Sequence, residues 1–318
     1  MKNVIITGGN GFIGRHLIEK LLYEKPSSIV VVSNSSYDDR HLMNKKLLEV
    51  TPLIFHTADI RDRDSISKVF QEEKADTCIH LAAKINVADS IQNPDDTMDI
   101  NVKGTTNVLD ACFNSGVNNF VFASSAAVYG DVMELPITEN QSLAPLSPYG
   151  TSKMLAERQV SLYKKLKKIQ NAISLRIFNV YGKGQQSETD VITRFAKRLK
   201  IGTAPVIYGD GRQTRDFISI DDVIEAFLLS IRAMEDDNYN TLLPPVFNIG
   251  TGIPTSVIQL ANKMIAILEL DLQVIHQRGD EGNMGILNSY ADITRSKALL
   301  NFVPKKGIEA GLREILLE

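Results

Sequence analysis

The stretch NVIITGGNGFIG, residues Asn3–Gly14, decides how the rest of the chain is interpreted. Its first residues, Asn3–Thr7, are mostly β-branched and predict a strand, and the glycines that follow predict a turn. From Ile13 onward, leucine and isoleucine recur at helical spacing and predict a helix. A strand, a glycine-rich turn and a helix in this order are typical of a dinucleotide-binding site, although an ordinary strand-to-helix turn has the same order.

Three glycines in this stretch have separate predicted roles. Gly8 permits a tight turn, Gly11 lets the backbone approach a pyrophosphate, and Gly14 lets the helix pack on the strand. The first N–H groups of the helix are then free to bind phosphate oxygens. The sequence therefore predicts a phosphate-binding turn at these residues.

Buried strands and amphipathic helices continue to alternate up to about residue 180. Further strands are predicted at Ile29–Val32, Leu53–Thr57, Thr77–Leu81, Asn119–Ser124 and Ile173–Phe178, with a long helix at Thr97–Ser115. This alternation predicts an α/β fold with a doubly wound parallel sheet, the Rossmann architecture. The carboxyl ends of such strands meet at one edge, so the residues after them should converge on one crevice. They are the glycine turn, Asp59, Ala82, Ser125 and Asn179.

After about residue 180 the alternation weakens, which indicates a second, smaller lobe. Helices are predicted at Val191–Lys200, Thr255–Leu268, Arg295–Leu300 and Ile308–Leu317, and short strands near Pro205–Tyr208 and at Val246–Ile249. We therefore expect a dinucleotide-binding Rossmann domain from residues 1–178 plus about 215–250. The remaining residues, about 179–214 plus 251–318, are expected to form a C-terminal substrate-binding lobe.

The composition is that of an ordinary globular protein. Hydrophobic residues make up 43% of the chain and the formal net charge is -3, which gives no electrostatic reason to expect nucleic acid or an anionic membrane as a partner. No apolar run reaches membrane-spanning length. The two cysteines, Cys78 and Cys112, lie in apolar runs and no signal-peptide pattern is present, so we expect buried thiols and a cytoplasmic protein. His80 is predicted to be a core residue, because no second ligand is spaced to form a metal site.

The motif SPYGTSK, residues Ser147–Lys153, predicts a helix that carries a tyrosine base. Ser147 suits the N-cap and Pro148 suits the first turn. Tyr149 and Lys153 are four residues apart and share one helical face. A neighbouring cation and the positive end of a helix both favour the phenolate, which prepares Tyr149 to accept a proton. A surface tyrosine and lysine without a chemical role would show the same spacing.

Two positions near the predicted crevice leave alternatives open. An NAD-binding fold usually carries Asp or Glu at the end of the second strand, where this chain has Ser33. The sequence therefore does not separate NAD from NADP. Asp59, at the end of the third strand, either faces the adenine or caps the helix predicted to begin near Ser65.

Eight motifs, in order, make the chain similar to the extended short-chain dehydrogenase/reductase family of NAD-dependent epimerases and dehydratases. They are Thr7–Gly14, Asp59–Ile60, His80–Ala83, Ser124–Gly130, Tyr149–Lys153, Arg176–Gly182, Tyr208–Val223 and Phe247–Gly252. Within this family the chain resembles the UDP-glucose 4-epimerase-like enzymes. The resemblance covers most of the chain and implies that the second lobe binds a nucleotide sugar.

The resemblance implies that the crevice binds NAD, without excluding NADP. The implied cofactor contacts are Gly8, Gly11, Phe12, Ile13, Gly14, Ser33, Asp59, Ile60, Leu81, Ala82, Ala83, Tyr149 and Lys153. The resemblance also implies that Tyr149 is the catalytic base, that Lys153 lowers its pKa and holds the nicotinamide ribose, and that Ser125 hydrogen-bonds the 4-hydroxyl of the sugar.

The implied substrate is a UDP-sugar. Asn179 and Arg215 match positions that hold its diphosphate, and Val206 and Tyr208 match the stretch that lines the uracil. The guanidinium of Arg215 suits this role because it pairs with phosphate oxygens through two hydrogen bonds.

Three of the implied substrate contacts are less regular. Arg215 has an alternative role in a salt bridge to Asp216 or Asp222. Arg278 matches a second diphosphate-binding arginine only in part, because it lies several residues too far upstream. Ser289 matches a position in the pocket wall where a bulky residue excludes N-acetyl groups, so the small serine implies that N-acetylhexosamine substrates fit.

The residues after Ser125 separate the reactions of this family. A dehydratase places an Asp-Glu pair there to remove water across C5 and C6, whereas this chain has Ala126 and Ala127, which cannot transfer protons. The resemblance therefore implies an isomerase that interconverts UDP-glucose and UDP-galactose at C4 through a transient 4-keto sugar. The alternatives are a dehydratase or reductase on the same fold, and a non-catalytic dinucleotide-binding protein. The family commonly forms homodimers through helices resembling Thr97–Ser115 and Tyr149–Lys167.

Overall fold

The computed structural model describes residues 2–36, 45–186, 190–235, 246–278 and 286–317. Its strands are β1 (Asn3–Thr7), β2 (Ser28–Ser33), β3 (Leu53–Thr57), β4 (Thr77–His80), β5 (Asn119–Ser125), β6 (Asn171–Ile177), β7 (Asn179–Tyr181), β8 (Val206–Tyr208), β9 (Thr214–Ser219), β10 (Val246–Ile249), β11 (Pro254–Ser256), β12 (Ile275–Gln277) and β13 (Asn288–Ser289). Its helices are α1 (Phe12–Glu24), α2 (Arg63–Glu73), α3 (Val87–Gln92), α4 (Pro94–Met98), α5 (Gly104–Ser115), α6 (Pro148–Lys165), α7 (Val191–Lys200), α8 (Ile220–Glu235), α9 (Val257–Ile267), α10 (Thr294–Leu300) and α11 (Ile308–Leu316).

Seven strands form one sheet in the order β10–β6–β5–β4–β1–β2–β3. The pairs from β3 across to β5 are parallel, and Thr7 at the end of β1 lies opposite both Val32 and His80. Strands β4 and β6 are buried at every residue, as strands covered on both faces must be. The order and direction of these strands confirm the predicted doubly wound sheet, with the carboxyl ends of β1 to β5 at one edge.

One hydrophobic core holds the helices against this sheet. Phe70 of α2, Leu109 of α5 and Val160 of α6 pack in one cluster with Ile5 and Phe120 of the strands, and all five are fully buried. Burial of each such side chain contributes roughly 1.5–3 kcal/mol to the free energy of folding. This packing fixes α6 in place, which matters because α6 carries the predicted tyrosine base.

The helix predicted at Thr97–Ser115 is interrupted. Helix α4 ends at Met98, and Asp99–Lys103 forms a π-helical turn before α5 begins at Gly104. Helical periodicity did not reveal this turn, because a wider turn displaces the pattern by only one residue. Such turns occur frequently at functional sites.

A smaller sheet is built around β9. This strand pairs antiparallel with β11 and parallel with β7 and β13, while β8 and β12 form a separate parallel pair. A second core packs helices α7, α9 and α11 with β8 and includes Phe195, Ile207, Leu260 and Leu312. The short strands explain why the alternation pattern weakens after about residue 180.

The chain forms two compact units. The first unit contains Met1–Val128, Leu143–Arg176 and Ile224–Phe247, and the second contains Tyr129–Ser142, Ile177–Val223 and Asn248–Glu318. The division expected from the sequence assigns residues 129–142 and 215–223 to the dinucleotide-binding domain, whereas their contacts place them in the second unit. Residues 215–219 belong there because β9 is the central strand of the smaller sheet.

Within the described ranges, no helix combines the length and the hydropathy that crossing a membrane requires.

Candidate active site

The turn after β1 leaves no room for a side chain at two of its glycines. Gly8 has a φ of +73°, and an added Cβ would lie 2.6 Å from the backbone nitrogen of Ala82. At Gly14 an added Cβ would lie 2.5 Å from the carbonyl oxygen of Gly9. Gly14 therefore lets α1 pack against the turn itself, and the packing of Gly14 on the strand stays a prediction. Among the described residues beyond its chain neighbours, Gly11 has only the Gly8 carbonyl oxygen within 4 Å of an added Cβ, so its outer side is open to a ligand.

No side chain of the described residues caps the N-terminus of α1. Gly11 is the N-cap residue, and Phe12 and Ile13 carry the first N–H groups of the helix. By contrast, the Asp62 carboxylate caps α2 and accepts hydrogen bonds from two N–H groups of its first turn, both at 3.2 Å. Free N–H groups at the positive end of a helix bind anions. The turn and α1 together therefore offer a site for a phosphate group.

Ser33 lies half-buried at the carboxyl end of β2, and its hydroxyl oxygen is 3.5 Å from that of Ser35. The Asn10 amide of the glycine turn donates to the carbonyl and the hydroxyl oxygens of Ser35, at 2.9 and 3.0 Å, and to the Ser36 carbonyl at 3.0 Å. These hydrogen bonds hold the segment after β2 beside the glycine turn. A neutral hydroxyl thus stands at the strand end where an acid is usual.

Asp59 follows β3 and pairs with Arg61, whose Nη2 lies 2.7 Å from a carboxylate oxygen. The hydrogen bond from Arg61 holds the pKa of the Asp59 carboxyl below its usual value. Of the two roles considered for Asp59, capping the next helix is wrong, because Asp62 is the cap of α2. The neighbouring Ile60 is buried, and its side chain belongs to the core.

The segment after β4 lies directly against the glycine turn. Leu81, Ala82 and Ala83 are half-buried, and the N–H of Leu81 donates to the Thr7 carbonyl at 3.0 Å. This bond extends the β1–β4 pairing past the last residue of β4. The backbone of Ala82 therefore faces Gly8 at a distance that excludes a side chain on the glycine.

His80 is a core histidine, as predicted. It is fully buried, and its Nδ1 and Nε2 atoms lie 2.6 Å from the Thr7 hydroxyl and 2.9 Å from the Thr105 hydroxyl. Burial and the nearby Lys153 lower the pKa of His80 to about 3, so the ring is neutral. In the part of the chain that the structure describes, no three His, Cys, Asp or Glu side chains are grouped to hold a metal ion.

Helix α6 begins as the sequence predicts. The Ser147 hydroxyl accepts a hydrogen bond from the N–H of Gly150 at 3.1 Å, and Pro148 occupies the first turn. An added Cβ at Gly150 would lie 2.6 Å from the carbonyl oxygen of Ala127. Gly150 therefore lets α6 begin against the turn that follows Ser125. This role of Gly150 was not predicted from the sequence, although a glycine in the first turn of a predicted helix can indicate close packing.

The Tyr149 phenol and the Ser125 hydroxyl form the centre of the candidate site. Ser125 ends β5, and its hydroxyl oxygen accepts a hydrogen bond from the N–H of Ala127 at 3.2 Å. Burial raises the pKa of the Tyr149 phenol, and the nearby Ser125 hydroxyl acts in the opposite direction. The structure thus brings together the two hydroxyl groups that the sequence analysis placed beside the sugar.

Lys153 is 3% exposed and points toward β5. Its Nζ donates to the Ala123 carbonyl at 2.8 Å and lies 4.9 Å from the centroid of the Phe122 ring. Burial lowers the pKa of Lys153 to about 7. The expected lowering of the Tyr149 pKa by Lys153 is wrong for this structure, because burial disfavours the charged form of both groups.

We expect Lys153→Met to stabilise the cofactor-free protein at low pH. The folded-state pKa of about 7 lies below the ordinary value of 10.5, so the unfolded chain binds more protons between these values and stability rises with pH across that window. Below a pH of about 7 the buried Lys153 of the folded protein carries its full positive charge. The free energy of unfolding of the variant should therefore exceed that of wild type by a few kcal/mol at about pH 6, and by less at about pH 10. Urea denaturation measures both differences, and a difference independent of pH would contradict the lowered pKa.

In the second unit, Val206 and Tyr208 lie on one face of β8. The residue between them, Ile207, is buried in the second core, so strand alternation puts the other two on the opposite face. Tyr208 is 52% exposed, and the Arg194 guanidinium lies 5.5 Å from the centroid of its ring. A flat, accessible aromatic ring of this kind suits the stacking of a base.

Arg215 lies on β9, directly opposite Ser289 of β13. Its guanidinium donates to the Thr214 carbonyl at 2.8 Å. Burial lowers the pKa of Arg215, and the charge of Asp131 acts against this. The small, buried Ser289 therefore lies next to a half-buried cation.

The carboxylates considered as alternative partners of Arg215 are engaged elsewhere. Asp216 is fully buried and accepts hydrogen bonds from three backbone N–H groups and a threonine hydroxyl, at 2.5–3.1 Å. Asp222 accepts hydrogen bonds from the N–H groups of Lys305 and Lys306, at 2.8 and 3.1 Å. A salt bridge from Arg215 to either carboxylate is therefore wrong, and the guanidinium remains available to an anionic ligand.

The structure brings Asn179 to the same small sheet as Arg215 and Ser289. Asn179 is exposed at the start of β7, and β7 pairs with the second half of β9. Arg278 follows β12 and is also exposed, but it lines an open cleft to which Asn179, Arg215 and Ser289 do not contribute. The role of Arg278 as a diphosphate contact stays a prediction.

Asn101, in the π-helical turn, is a buried polar residue that the sequence analysis did not identify. Its side-chain oxygen accepts from the N–H of Lys84 at 2.7 Å, and its amide donates to the Ser152 hydroxyl at 2.8 Å. Ser152 in turn donates to the Tyr149 carbonyl at 2.7 Å. Asn101 thus connects the segment after β4 to the first turn of α6. A single polar residue in a helical run gave no signal of this role.

Comparison with known proteins agrees with this geometry. Residues 4–250 match the family model described as the NAD dependent epimerase/dehydratase family. A Methanocaldococcus jannaschii protein provisionally named UDP-glucose 4-epimerase is 35% identical over 98% of this chain and 97% of its own length.

Two solved structures share the whole fold. The UDP-glucose 4-epimerase from Thermotoga maritima, solved with UDP-glucose, has a TM-score of 0.87 and 31% identity over 99% of this chain and 97% of its own. The UDP-N-acetylglucosamine 4-epimerase from Methanobrevibacter ruminantium, solved with UDP-N-acetylmuramic acid, has a TM-score of 0.87 and 30% identity over 100% of this chain and 98% of its own. The chain belongs to the NAD-dependent epimerase/dehydratase family.

Proposed function

We propose that the protein is an NAD-dependent isomerase that epimerises a nucleotide sugar at C4, with UDP-glucose and UDP-galactose as its main pair of substrates. The observation that carries the proposal is the junction of β5 and α6. There Ser125, Tyr149 and Lys153 lie together at the edge of the sheet that also carries the glycine turn. Relatives 31% and 35% identical over nearly the whole chain bear the name of this activity.

The residues of the first unit fit NAD. The turn excludes side chains at Gly8 and Gly14, and the N-terminus of α1 offers free N–H groups to a pyrophosphate. Ser33 can hydrogen-bond a ribose hydroxyl but brings no charge that would repel a 2′-phosphate, so NADP is the competing cofactor. A bound NAD would supply a reversible hydride acceptor for the hydrogen at C4 of the sugar. Mass analysis of the cofactor released from purified protein decides between NAD and NADP.

In the proposed reaction, Tyr149 takes the proton of the 4-hydroxyl group and later returns it. Ser125 holds the sugar oxygen, and its hydroxyl, which lies near the phenol, favours the phenolate. Lys153 lies one helical turn further along α6 and offsets the same negative charge when it is protonated. Its pKa of about 7 means that both of its forms are populated at neutral pH, which suits repeated transfer of a proton.

Epimerisation at C4 is favoured over dehydration, because no Asp or Glu occupies the two positions directly after Ser125. Ala126–Val128 form a short 3-10 turn whose side chains are entirely aliphatic. Dehydration across C5 and C6 needs a proton donor and acceptor at this place. A product with a free 4-keto group would identify the dehydratase alternative, and net consumption of NADPH would identify the reductase.

We assign the nucleotide part of the substrate to the second unit. Arg215 and Asn179 hold the diphosphate, because they share one small sheet and Arg215 forms no salt bridge among the described residues. Val206 and Tyr208 line the uracil site through the accessible face of β8.

Ser289 is expected to admit N-acetylhexosamines. It is buried next to Arg215, and one of the most similar structures is a UDP-N-acetylglucosamine 4-epimerase. We expect the wild-type enzyme to turn over UDP-N-acetylglucosamine as well as UDP-glucose, and Ser289→Tyr to lower kcat/KM for the N-acetyl substrate about tenfold more than for UDP-glucose, because the ring fills the space of the acetyl group. Parallel assays of both substrates measure the ratio. Turnover of UDP-glucose without any turnover of UDP-N-acetylglucosamine would contradict this role.

We infer that two copies of the chain pair through α6. Leu155, Leu162 and Leu166 are 39%, 49% and 56% exposed and recur at helical spacing on α6 and its C-cap. Leu162→Glu should convert a dimer into a monomer, because a two-fold interface brings the two new charges together. Light scattering after gel filtration measures the mass. Leu299→Glu, at a leucine 40% exposed on α10, is the control that should stay dimeric; a monomeric wild type would contradict the inference.

We also propose that the protein works in the cytoplasm. Cys78 and Cys112 are free and buried, which suits a reducing compartment. Fractionation of the native cells tests this location, and recovery of the protein in a secreted fraction would contradict it.

The proposed function is tested by incubating the purified protein with UDP-galactose alone. We expect conversion to an equilibrium mixture with UDP-glucose without added cofactor, because each cycle restores the oxidised cofactor. Chromatography with authentic standards identifies both sugars. A protein that retains NAD but converts no UDP-sugar would favour the non-catalytic alternative.

A further inference from the structure

A buried ion pair lies behind the candidate site, and the mechanism above gives it no role. Glu157 of α6 and Arg176 of β6 are 3% and 4% exposed. The Arg176 guanidinium donates through Nε to Oε2 of Glu157 at 3.0 Å and through Nη2 to Oε1 at 2.5 Å, so the contact is bidentate. The Ser124 hydroxyl donates to the same Oε2 atom at 2.8 Å.

The cluster of Ser124, Glu157 and Arg176 is connected to both elements that carry the proposed catalytic residues, β5 and α6. Glu157 lies one turn after Lys153 on α6, and Ser124 lies one residue before Ser125 on β5. Lys153 donates to the carbonyl of Ala123, and Glu157 accepts from Ser124. Two side chains four residues apart on α6 therefore hold two successive residues of β5. Two adjacent attachments fix both the rotation of α6 about its axis and its position along the strand.

Stability alone does not account for the ion pair. Removing two charges from water costs several kcal/mol, and replacing a buried pair with apolar residues of similar volume is often neutral or stabilising. A buried pair does, however, specify one arrangement of the elements that carry it, because other arrangements leave a charge unpaired. Displacement of reacting groups by about 1 Å can lower a rate about 100-fold. Correct placement of α6 therefore has a large effect on the rate.

We propose that Ser124, Glu157 and Arg176 are positioning residues for the proposed reaction, which hold Tyr149 and Lys153 of α6 at the distance from Ser125 that proton transfer requires. The inference rests on the proposed function. The three side chains contact neither substrate nor cofactor; they act through Ser125 on one side and through the backbone of α6 on the other.

Ser124→Ala removes the hydrogen bond between β5 and Glu157 of α6 and leaves the ion pair between Glu157 and Arg176 intact. We expect kcat to fall about tenfold, with the KM for UDP-galactose and the retained NAD unchanged. Ser124→Thr keeps a hydroxyl group and should restore most of the rate. Ser230→Ala is the matched control, because the fully buried Ser230 hydroxyl donates at 2.7 Å to the Ala226 carbonyl within α8. It should lower the melting temperature about as much as Ser124→Ala does, without lowering kcat.

A measurement on the cofactor-free proteins separates positioning from stability. Carbon-13 NMR of labelled tyrosine, assigned with Tyr149→Phe, reports the pKa of Tyr149. Because the nearby Ser125 hydroxyl lowers this pKa, misplacement of Ser125 should raise it in Ser124→Ala and leave it unchanged in Ser230→Ala. An unchanged Tyr149 pKa in Ser124→Ala would contradict the proposed positioning.

The double variant Glu157→Met, Arg176→Met removes both charges at similar volume, and it decides the question if Ser124→Ala does not fold. We expect a folded protein whose kcat is lowered at least about tenfold. Wild-type kcat in the double variant and in Ser124→Ala, or an equal loss in Ser230→Ala, would overturn the proposal. Wild-type conversion of UDP-galactose is measured first: its absence refutes the proposed function, whereas an active wild type with unimpaired variants refutes only the positioning role.

Discussion

Tyr149→Phe is expected to lower kcat for UDP-galactose on the order of 10³-fold. The phenylalanine ring fills the same space, but no oxygen remains to take the 4-hydroxyl proton or to meet the Ser125 hydroxyl. Retained NAD and the melting temperature should stay close to the wild-type values, because the glycine turn and the N-terminus of α1 are unchanged. Steady-state kinetics and mass analysis of the released cofactor measure the two effects separately.

Tyr163→Phe is the matched control for this substitution. Tyr163 lies on the same helix, is 8% exposed, and donates to the Asp110 carboxylate at 2.5 Å. The control therefore removes the same hydroxyl group from the same helix, away from Ser125, and kcat should stay within about twofold of wild type. Wild-type turnover by Tyr149→Phe, or equal losses in the two variants, would show that the Tyr149 phenol is not the base.

Gly8→Ala is expected to reduce retained NAD to about a tenth of the wild-type content or less, and activity with it. The added Cβ would lie 2.6 Å from the backbone nitrogen of Ala82, and neither backbone can move without displacing the turn from the end of β4. The left-handed φ of +73° adds roughly 1–2 kcal/mol of strain for any residue with a Cβ. Cofactor release measured by mass, and the affinity of the cofactor-free protein for NAD by calorimetry, report the loss.

Gly116→Ala is the control for Gly8→Ala, because it introduces backbone strain without a steric clash. Gly116 follows α5 with a φ of +79°, yet no atom of the described residues outside its immediate neighbours lies within 4 Å of an added Cβ. The control therefore carries the same backbone strain without the contact with Ala82. It should lower the free energy of unfolding by about 1 kcal/mol and leave NAD binding intact. Normal NAD content in Gly8→Ala would show that the turn does not hold the pyrophosphate.

Much of the first unit could be predicted from the sequence because its signals are local. Strands β1 and β3 have the predicted bounds, and the N-cap of α6 is the predicted Ser147. A run of β-branched residues, a glycine turn or a capping serine depends only on its immediate neighbours. The sequence therefore gives the order of the elements and the edge at which the site lies.

Long-range contacts could not be predicted in the same way. The partner of Asp59 is Arg61, and the cap of α2 is Asp62; choosing between two carboxylates three residues apart requires the backbone path. The π-helical turn around Asn101 and the role of Gly150 also depend on packing between distant segments. In the second unit, short strands gave little periodicity, so the register that puts Ser289 opposite Arg215 came only from the structure.

The pKa values of Tyr149 and Lys153 differ most from what the sequence predicted. Spacing puts Tyr149 and Lys153 on one helical face and predicts that the cation favours the phenolate. Burial reverses the balance, raising the pKa of Tyr149 and lowering that of Lys153 to about 7. Helical spacing cannot reveal desolvation, because burial depends on how β5 and α6 pack. At neutral pH the Tyr149 phenol is therefore uncharged, and both forms of Lys153 are populated before substrate binds.

The most direct test of the account follows the hydrogen at C4 of the sugar. Wild-type protein converts UDP-galactose in heavy water, and proton NMR then examines C4 of the UDP-glucose formed. Epimerisation by removal and return of hydride predicts UDP-glucose with ordinary hydrogen at C4, because the hydride removed from that carbon is returned to it and never exchanges with solvent. Deuterium at C4, an accumulating 4-keto sugar, or no conversion at all would contradict it.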